Sequence, residues 1–311
     1  LEQYGEHLTQ YLLSHIQPDT SAVGELFVES EHAAAANTQA LMPIAAVALG
    51  LTARRTRSKP LHYSACTAID VTLRRPQTQG LWSTAGKETT AVSNLTDLSW
   101  QAYWLCRWQE EVEVDPRIPP FLDAYARRLL SLQKHGGHIP ACVDPATGYA
   151  ERFHAKTAAT ALHLMFLCRY YRLNKDPRVL QASRRAANFV IRTCIKPRQW
   201  TTDAAAASQR RAAPHPALAM WWAAQGLLEL HIATRNARYL SYGLRAVDDL
   251  LLLQQIWNPP FVPIACFGGF GAGAPGVHWN IAPQALFATT LCEYYRITGM
   301  PVYFARGVAA L

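Results

Sequence analysis

The sequence predicts an all-α fold, an α/α barrel or toroid of repeated helical hairpins. Three observations carry this expectation. One helix-to-helix junction recurs along the chain. Residues that mark helix starts return at intervals of roughly sixty residues, a hairpin-repeat period. Two kinds of helix, one apolar nearly all round and one with a polar stripe, alternate between those marks, and alternating strand patterns are scarce.

The junction reads "YYRLNKDPRVLQASRRAANFVI" at 170–191, "HIATRNARYLSYGLRAVDDLLL" at 231–252 and "YYRITGMPVYFARGVAAL" at 294–311. Aligning Arg178, Arg238 and Val302 puts Leu180, Leu240 and Phe304 in register and matches Arg185-Ala186 with Arg245-Ala246. Each junction is a tight turn with Asn, Asp or Gly between two amphipathic helices, an αα-hairpin.

The marked helix starts are "ESEHAAAANTQALM" at 29–42, "VSNLTDLSWQAYWL" at 92–105, "RFHAKTAATALHLM" at 152–165, "APHPALAMWWAAQG" at 213–226 and "GVHWNIAPQALFAT" at 276–289. Their marker residues are His32, Asn94, His154, His215 and His278. These helices are small and apolar on every side, as in Ala33–Ala36 and Ala158–Ala161, and a helix without a polar face is a buried one. They alternate with helices near 1–17, 61–75, 117–133, 177–193, 236–254 and one beginning near 301, whose stripes (Arg127, Arg128, Arg184, Arg185, Asp248) face water. Five inner and six outer helices are thus expected in one domain spanning 1–311, an incomplete (α/α)6 whose sixth inner helix would follow Leu311, or a barrel that closes differently.

Inner-to-outer turns are short, whereas the outer-to-inner connections, about 76–92, 134–152, 197–213 and 256–276, are long. Long connections in a compact domain are usually functional. Each feeds the N-terminus of an inner helix, so that end is expected to carry the pocket, and helix N-termini favour anions there.

Composition narrows the function classes. The chain has 311 residues, 50% hydrophobic and only 17% charged, which suits a globular protein with a sizeable core. No apolar run approaches the roughly 20 residues of a membrane helix. The net charge of +8 is scattered. A soluble surface accounts for it first and an acidic substrate second; no recognised module supports nucleic acid. Seven cysteines lie far apart with no C-x-x-C, which reads as scattered thiols and predicts neither a disulfide frame nor a zinc site. The chain starts at Leu1 rather than Met, which leaves room for an upstream segment and leaves the compartment, cytoplasm or periplasm, open.

The hairpin junctions, the "SLQKHGGHIPACVDPATGY" loop and the "GGFGAG…HWN" loop ahead of an inner helix make the whole chain resemble the six-hairpin, or (α/α)6-toroid, carbohydrate-active enzymes: glycoside hydrolases with related polysaccharide lyases and sugar epimerases. The resemblance implies a saccharide substrate and no cofactor. It is specific for architecture and weak for chemistry.

Glycosidic hydrolysis needs two carboxyls flanking the bond. Candidates at the pocket end are Glu29, Glu31, Asp97, Asp144, Glu151 and Asp203, of which Glu31, Asp97, Glu29 and Glu151 are the expected catalytic set. Each is also explained as a helix cap or dipole partner. Expected substrate contacts are His32, Asn94, Tyr149, His154, Lys156, His215, Phe270, His278 and Trp279, with His154 and His278 foremost. Loop aromatics Trp82, Tyr149, Phe153, Trp200, Trp257, Phe270 and Trp279 suit stacking on sugar CH groups. Trp100, Trp104, Trp108, Trp221 and Trp222 read as core or pocket floor. A lyase is the alternative, with Tyr149 or His154 abstracting the proton α to a uronate carboxyl and Lys156 neutralising it. A saccharide-binding protein without chemistry is the other. Lanthionine cyclases share the barrel but use zinc on local Cys and His motifs; no such pair or H-E-x-x-H is apparent, so no metal is expected. The D-D-x-x-D clusters of terpene cyclases are missing as well.

Gly271, Gly273 and Gly276 spell G-x-G-x-x-G. That fingerprint has meaning only between a strand and a helix. Here it follows "IWNPPFVPIACF" in a helical repeat, so it reads as a rim loop that delivers His278 and Trp279.

Overall fold

The computed structural model describes residues 42–82, 92–150, 155–200, 216–261, 265–271 and 284–311. Among these are ten α-helices and only four strands. The chain falls into two compact units, Leu1–Leu132 with Cys142–Tyr149, and Gln133–Ala141 with Ala150–Leu311.

The first unit holds α1 (Met42–Thr56), α2 (Lys59–Leu73), α3 (Leu95–Glu111) and α4 (Ile118–Leu132). It also carries the two-residue strands β1 (Gln77–Thr78), β2 (Leu81–Trp82), β3 (Ser93–Asn94) and β4 (Cys142–Val143), paired as the antiparallel ladders β1–β2 and β3–β4. Ser58 caps α2, its hydroxyl accepting the Leu61 N–H at 3.5 Å, with Pro60 in the first turn where no N–H is needed. Helix α4 is locked to α3 through Tyr125, whose hydroxyl donates to the Leu95 carbonyl at 3.0 Å and meets Ser99 Oγ at 2.7 Å.

The second unit holds α5 (Thr160–Asn174), α6 (Pro177–Val190, continued by a π turn Ile191–Ile195), α7 (Pro216–Thr234), α8 (Ala237–Leu251), α9 (Gln284–Thr298) and α10 (Pro301–Ala309). Its three hairpin turns share one construction. A left-handed residue, Lys175 (φ 56°), Arg235 (φ 56°) or Gly299 (φ 71°), ends the first helix. In the first two turns the next residue caps the second helix: Asp176 accepts the Arg178 N–H at 2.8 Å, and Asn236 the Arg238 N–H at 3.0 Å. Arg57 (φ 55°) and Ser58 repeat the device in the first unit.

The expected alternation of helix types is present. Every residue of α5 from Thr160 to Tyr170 is buried. Helix α6 buries Val179, Ala182, Ser183, Ala186, Ala187 and Val190 at three- and four-residue spacing and exposes Arg184 and Arg185. One helix start differs from expectation: α5 begins at Thr160, six residues beyond the marker His154. At Thr160 the cause is visible. Its hydroxyl exchanges hydrogen bonds with the Ile139 N–H and carbonyl, both at 3.2 Å, so the chain ahead of it serves the preceding connection. The expected helices near 1–17 and 29–41 lie outside the described residues.

Helices α5, α7 and α9 are held together by polar groups inside their apolar surfaces. Glu229 on α7 is 1% exposed and accepts from Arg169 Nη1 at 2.9 Å and Arg172 Nη1 at 3.1 Å, both on α5. Gln225 Nε2, one turn earlier, donates to Glu229 at 3.3 Å and to Glu293 of α9 at 3.0 Å. Its Oε1 accepts from Thr290 Oγ1 at 2.7 Å, which in turn accepts from the Trp221 indole at 2.7 Å. Nearby, Gly243 of α8 lets Tyr294 through: a Cβ there would stand 2.1 Å from the Tyr294 hydroxyl, which donates to the Ala224 carbonyl.

Breaking a buried pair leaves the surviving charge uncompensated. Glu229→Ala is therefore expected to cost about 3–5 kcal/mol of unfolding free energy. Asp123→Ala, which removes the exposed Arg127–Asp123 pair, should cost less than about 1 kcal/mol. Urea midpoints measure both; equal losses would show the network to be dispensable.

Candidate active site

The long connections and the helix N-termini that they feed are the places to look for chemistry. In the first unit, the α3 start is built by Asn94. Its Oδ1 accepts the Thr96 and Asp97 N–H groups at 2.9 and 3.2 Å, and its Nδ2 donates to Asp97 Oδ2 at 2.9 Å. Asn94 is thus the cap and Asp97 its reciprocal partner, both half-buried. Three and seven residues after Asp97, on the same helix face, lie Trp100 and Trp104, edge to face at 5.6 Å. The Trp104 indole N–H is buried without a hydrogen-bond acceptor, and Arg107 lies 5.1 Å over its ring.

Other expected residues of this unit divide sharply. Tyr149 is 67% exposed, an open ring at the end of the Asp144–Tyr149 turn. Asp144 forms that turn: its Oδ1 accepts the Ala146 and Thr147 N–H groups at 2.9 and 2.8 Å, and the Thr147 bonds hold its carboxyl below the usual range. A carboxyl held ionised cannot serve as the general acid. Trp82 is not a stacking ring. It is 3% exposed, packed on Phe121 and Tyr125, with its indole donating to Gln101 Oε1 at 3.1 Å.

In the second unit, Lys156 is exposed ahead of α5. Two histidines outside the marker positions, His163 and His138, stand near that start. His163 is fully buried, and its Nε2 lies 3.0 Å from the Pro140 carbonyl; because a carbonyl only accepts, Nε2 carries the proton. Burial pushes its pKa down to about 4. His138 packs on Phe189, and burial, then Lys156 and Lys134, lower its pKa. Their signal in the sequence was weak: neither falls at a marker position. Phe270 is not presented to a ligand. It is completely buried, edge to face with Phe287 at 5.2 Å, and its N–H donates to Gln284 Oε1. Trp257 is 54% exposed, and Trp200 is half-buried with an indole N–H lacking an acceptor. Glu29, Glu31, His32, Glu151, Phe153, His154, Asp203, His215, Gly273, Gly276, His278 and Trp279 lie outside the described residues. Among the described residues, one group could hold a metal ion: His62, Cys66 and Glu113, away from these helix starts. No described helix is long and apolar enough to cross a membrane.

No protein-family model and no curated protein matches the chain by sequence. Solved structures do match. A D-mannose isomerase aligns over 100% of this chain and 85% of its own, at 12% identity and a TM-score of 0.66. The cellobiose 2-epimerase of Spirochaeta thermophila DSM 6192 aligns over 99% and 84%, at 15% identity and 0.66. The GH76 α-mannanase BT2949 of Bacteroides thetaiotaomicron aligns over 99% and 82%, at 12% identity and 0.66. The chain has the α/α-toroid fold. Among the described residues, α3, α5 and α7 are buried nearly all round, the inner type of helix that the sequence repeat predicts. These three structural neighbours are carbohydrate-active enzymes.

Because His163 is neutral when folded, unfolding at acid pH releases a group that takes up a proton. Its contribution is intact above its unfolded pKa of about 6.5 and is lost as pH falls toward the folded value of about 4, at up to about 1.4 kcal/mol per pH unit. Wild type should therefore lose more stability than His163→Gln between pH 7 and pH 5 in urea melts. Parallel losses would contradict the assignment.

Proposed function

We propose that the chain is a glycoside hydrolase that cleaves a glycosidic bond at the N-terminal ends of its inner helices, with Asp97 as one of two working carboxyls. The observation that carries this reading is the α3 face, where a carboxylate fixed by Asn94 precedes the half-buried ring of Trp100, itself backed by the core residue Trp104. Aromatic faces fit sugar CH groups, and a fixed carboxylate at a helix N-terminus is stabilised as the anion that a base or nucleophile must be. The second carboxyl would come from Glu29 or Glu31. Tyr149, with its exposed ring, suits the outer part of a saccharide site. The GH76 α-mannanase, which shares this fold, supports hydrolysis.

A second reading, isomerisation or epimerisation of a free reducing sugar, has its own support. The D-mannose isomerase and the cellobiose 2-epimerase match the chain at the same TM-score of 0.66 as the mannanase.

The two readings, and β-elimination at a uronate, give different products from defined oligosaccharides. New reducing ends mean hydrolysis. An altered sugar without new ends, seen by NMR, means isomerisation or epimerisation. Ultraviolet absorbance from an unsaturated sugar means elimination. Hydrolysis is the expected outcome, with Asp97→Asn reducing kcat by roughly 100-fold or more while leaving the circular dichroism unchanged. Full activity in that variant would remove Asp97 from the mechanism.

A further inference from the structure

The group His62, Cys66 and Glu113 lies where no part of the proposed saccharide chemistry needs it. His62 and Cys66 sit one turn apart on the same face of α2, near its start. Glu113 comes from the segment just after α3, and its own N–H donates to the Trp108 carbonyl at 3.1 Å, which fixes where its side chain departs.

Three different donor atoms converge there: His62 Nε2 to Cys66 Sγ is 3.6 Å, Cys66 Sγ to Glu113 Oε2 is 3.9 Å, and His62 Nε2 to Glu113 Oε2 is 3.2 Å. Zinc bonds of about 2.0–2.3 Å at tetrahedral angles put ligand atoms roughly 3.4–3.6 Å apart. The observed triangle is therefore within a few tenths of an ångström of one face of a zinc tetrahedron. We propose that His62, Cys66 and Glu113 form a zinc site with three protein ligands and a fourth position open to water.

The surroundings agree. The other carboxylates of the neighbourhood are already engaged: Asp70 and Asp115 with Arg117 at 2.6 and 2.5 Å, and Glu111 with Arg107 at 2.6 Å. Glu113 faces only His62 and Cys66 among the described residues. On metal binding the Cys66 thiol proton leaves to solvent as the sulfur–metal bond forms. The donor set selects the metal: a thiolate with an imidazole and one carboxylate suits zinc and disfavours calcium or magnesium, which take oxygen shells. His62 and Glu113 side chains are 46% and 50% exposed, so the fourth position meets solvent. The ion would tie the outer helix α2 to the end of the inner helix α3.

The test uses the purified chain, stripped with a chelator and titrated with zinc chloride by calorimetry, then with cobalt(II) by absorption. One zinc per chain is expected. Cobalt should give a thiolate charge-transfer band in the near ultraviolet and intense visible bands of tetrahedral geometry. Cys66→Ser and His62→Ala should each abolish those bands and weaken zinc binding by roughly 100-fold or more, beyond the loss typical of outer-shell changes. Glu113→Gln should weaken binding while keeping the thiolate band. Zinc bound equally by wild type and Cys66→Ser, or cobalt without a thiolate band, would overturn the site and leave only an ion pair beside a thiol. Saccharide turnover is not read in this experiment, so its failure and the failure of the hydrolase reading are separate.

Discussion

The Glu229 carboxylate, buried to 1% exposure, is the constraint that the second unit is arranged around. A charge taken out of water must be met by donors of good geometry, or it destabilises by several kcal/mol. Arg169 and Arg172 can reach it only if α5 and α7 hold one rotation and one axial offset. Apolar packing cannot supply that information, because α5 and α7 are apolar nearly all round and would pack at many rotations. Gln225 then carries the requirement to α9 by spending its amide on Glu229 and Glu293 and its carbonyl on Thr290. The role of the network is register. The bulk of the favourable free energy comes from burial of the surrounding Ala, Leu and aromatic side chains.

That network grows out of the repeat itself. Arg169, Glu229 and Glu293 each stand nine residues before the aligned junction positions Arg178, Arg238 and Val302. One equivalent site on three successive inner helices has diverged to complementary groups. The alignment contained this pattern, yet its meaning depends on equivalent positions touching across helices, which a one-dimensional repeat does not say.

What was legible in the chain was what is local. Lys175-Asp176, Arg235-Asn236 and Gly299-Met300 are each a left-handed exit followed by a helix entry, and such turns are encoded within four residues. The long connections were harder. Trp82 and Phe270, read as open aromatic rings, turn inward because a loop that crosses a helix end must cover it. Trp82 finds the Gln101 carbonyl for its indole and two rings for its face, and Phe270 finds Phe287. Tyr149 has the same composition-level signal and stays in water. The difference lies in partners 17 or more residues away, such as Gln101 and Phe287. The triad of His62, Cys66 and Glu113 escaped for the same reason. Its His-x-x-x-Cys half is visible at helix spacing, but the third donor lies 47 residues beyond Cys66.

Capping and chemistry do not compete at Asn94 and Asp97. A cap is a way of fixing a carboxylate: Asn94 must orient its amide to satisfy the Thr96 and Asp97 N–H groups, and the same orientation presents Nδ2 to Asp97 Oδ2. A flexible carboxyl would have to be ordered at each encounter with substrate, whereas this one is ordered by folding. The first unit therefore separates two tasks along its helices. Where α3 begins, a long connection arrives and a polar pair stands fixed beside tryptophans. Where α3 ends and α2 begins, the connections are short and the donors of His62, Cys66 and Glu113 draw the two helices together. Short connections leave little loop to vary, so residues there act on how the hairpins hold; long ones can change around a constant frame, and that freedom is what lets one toroid serve unlike reactions.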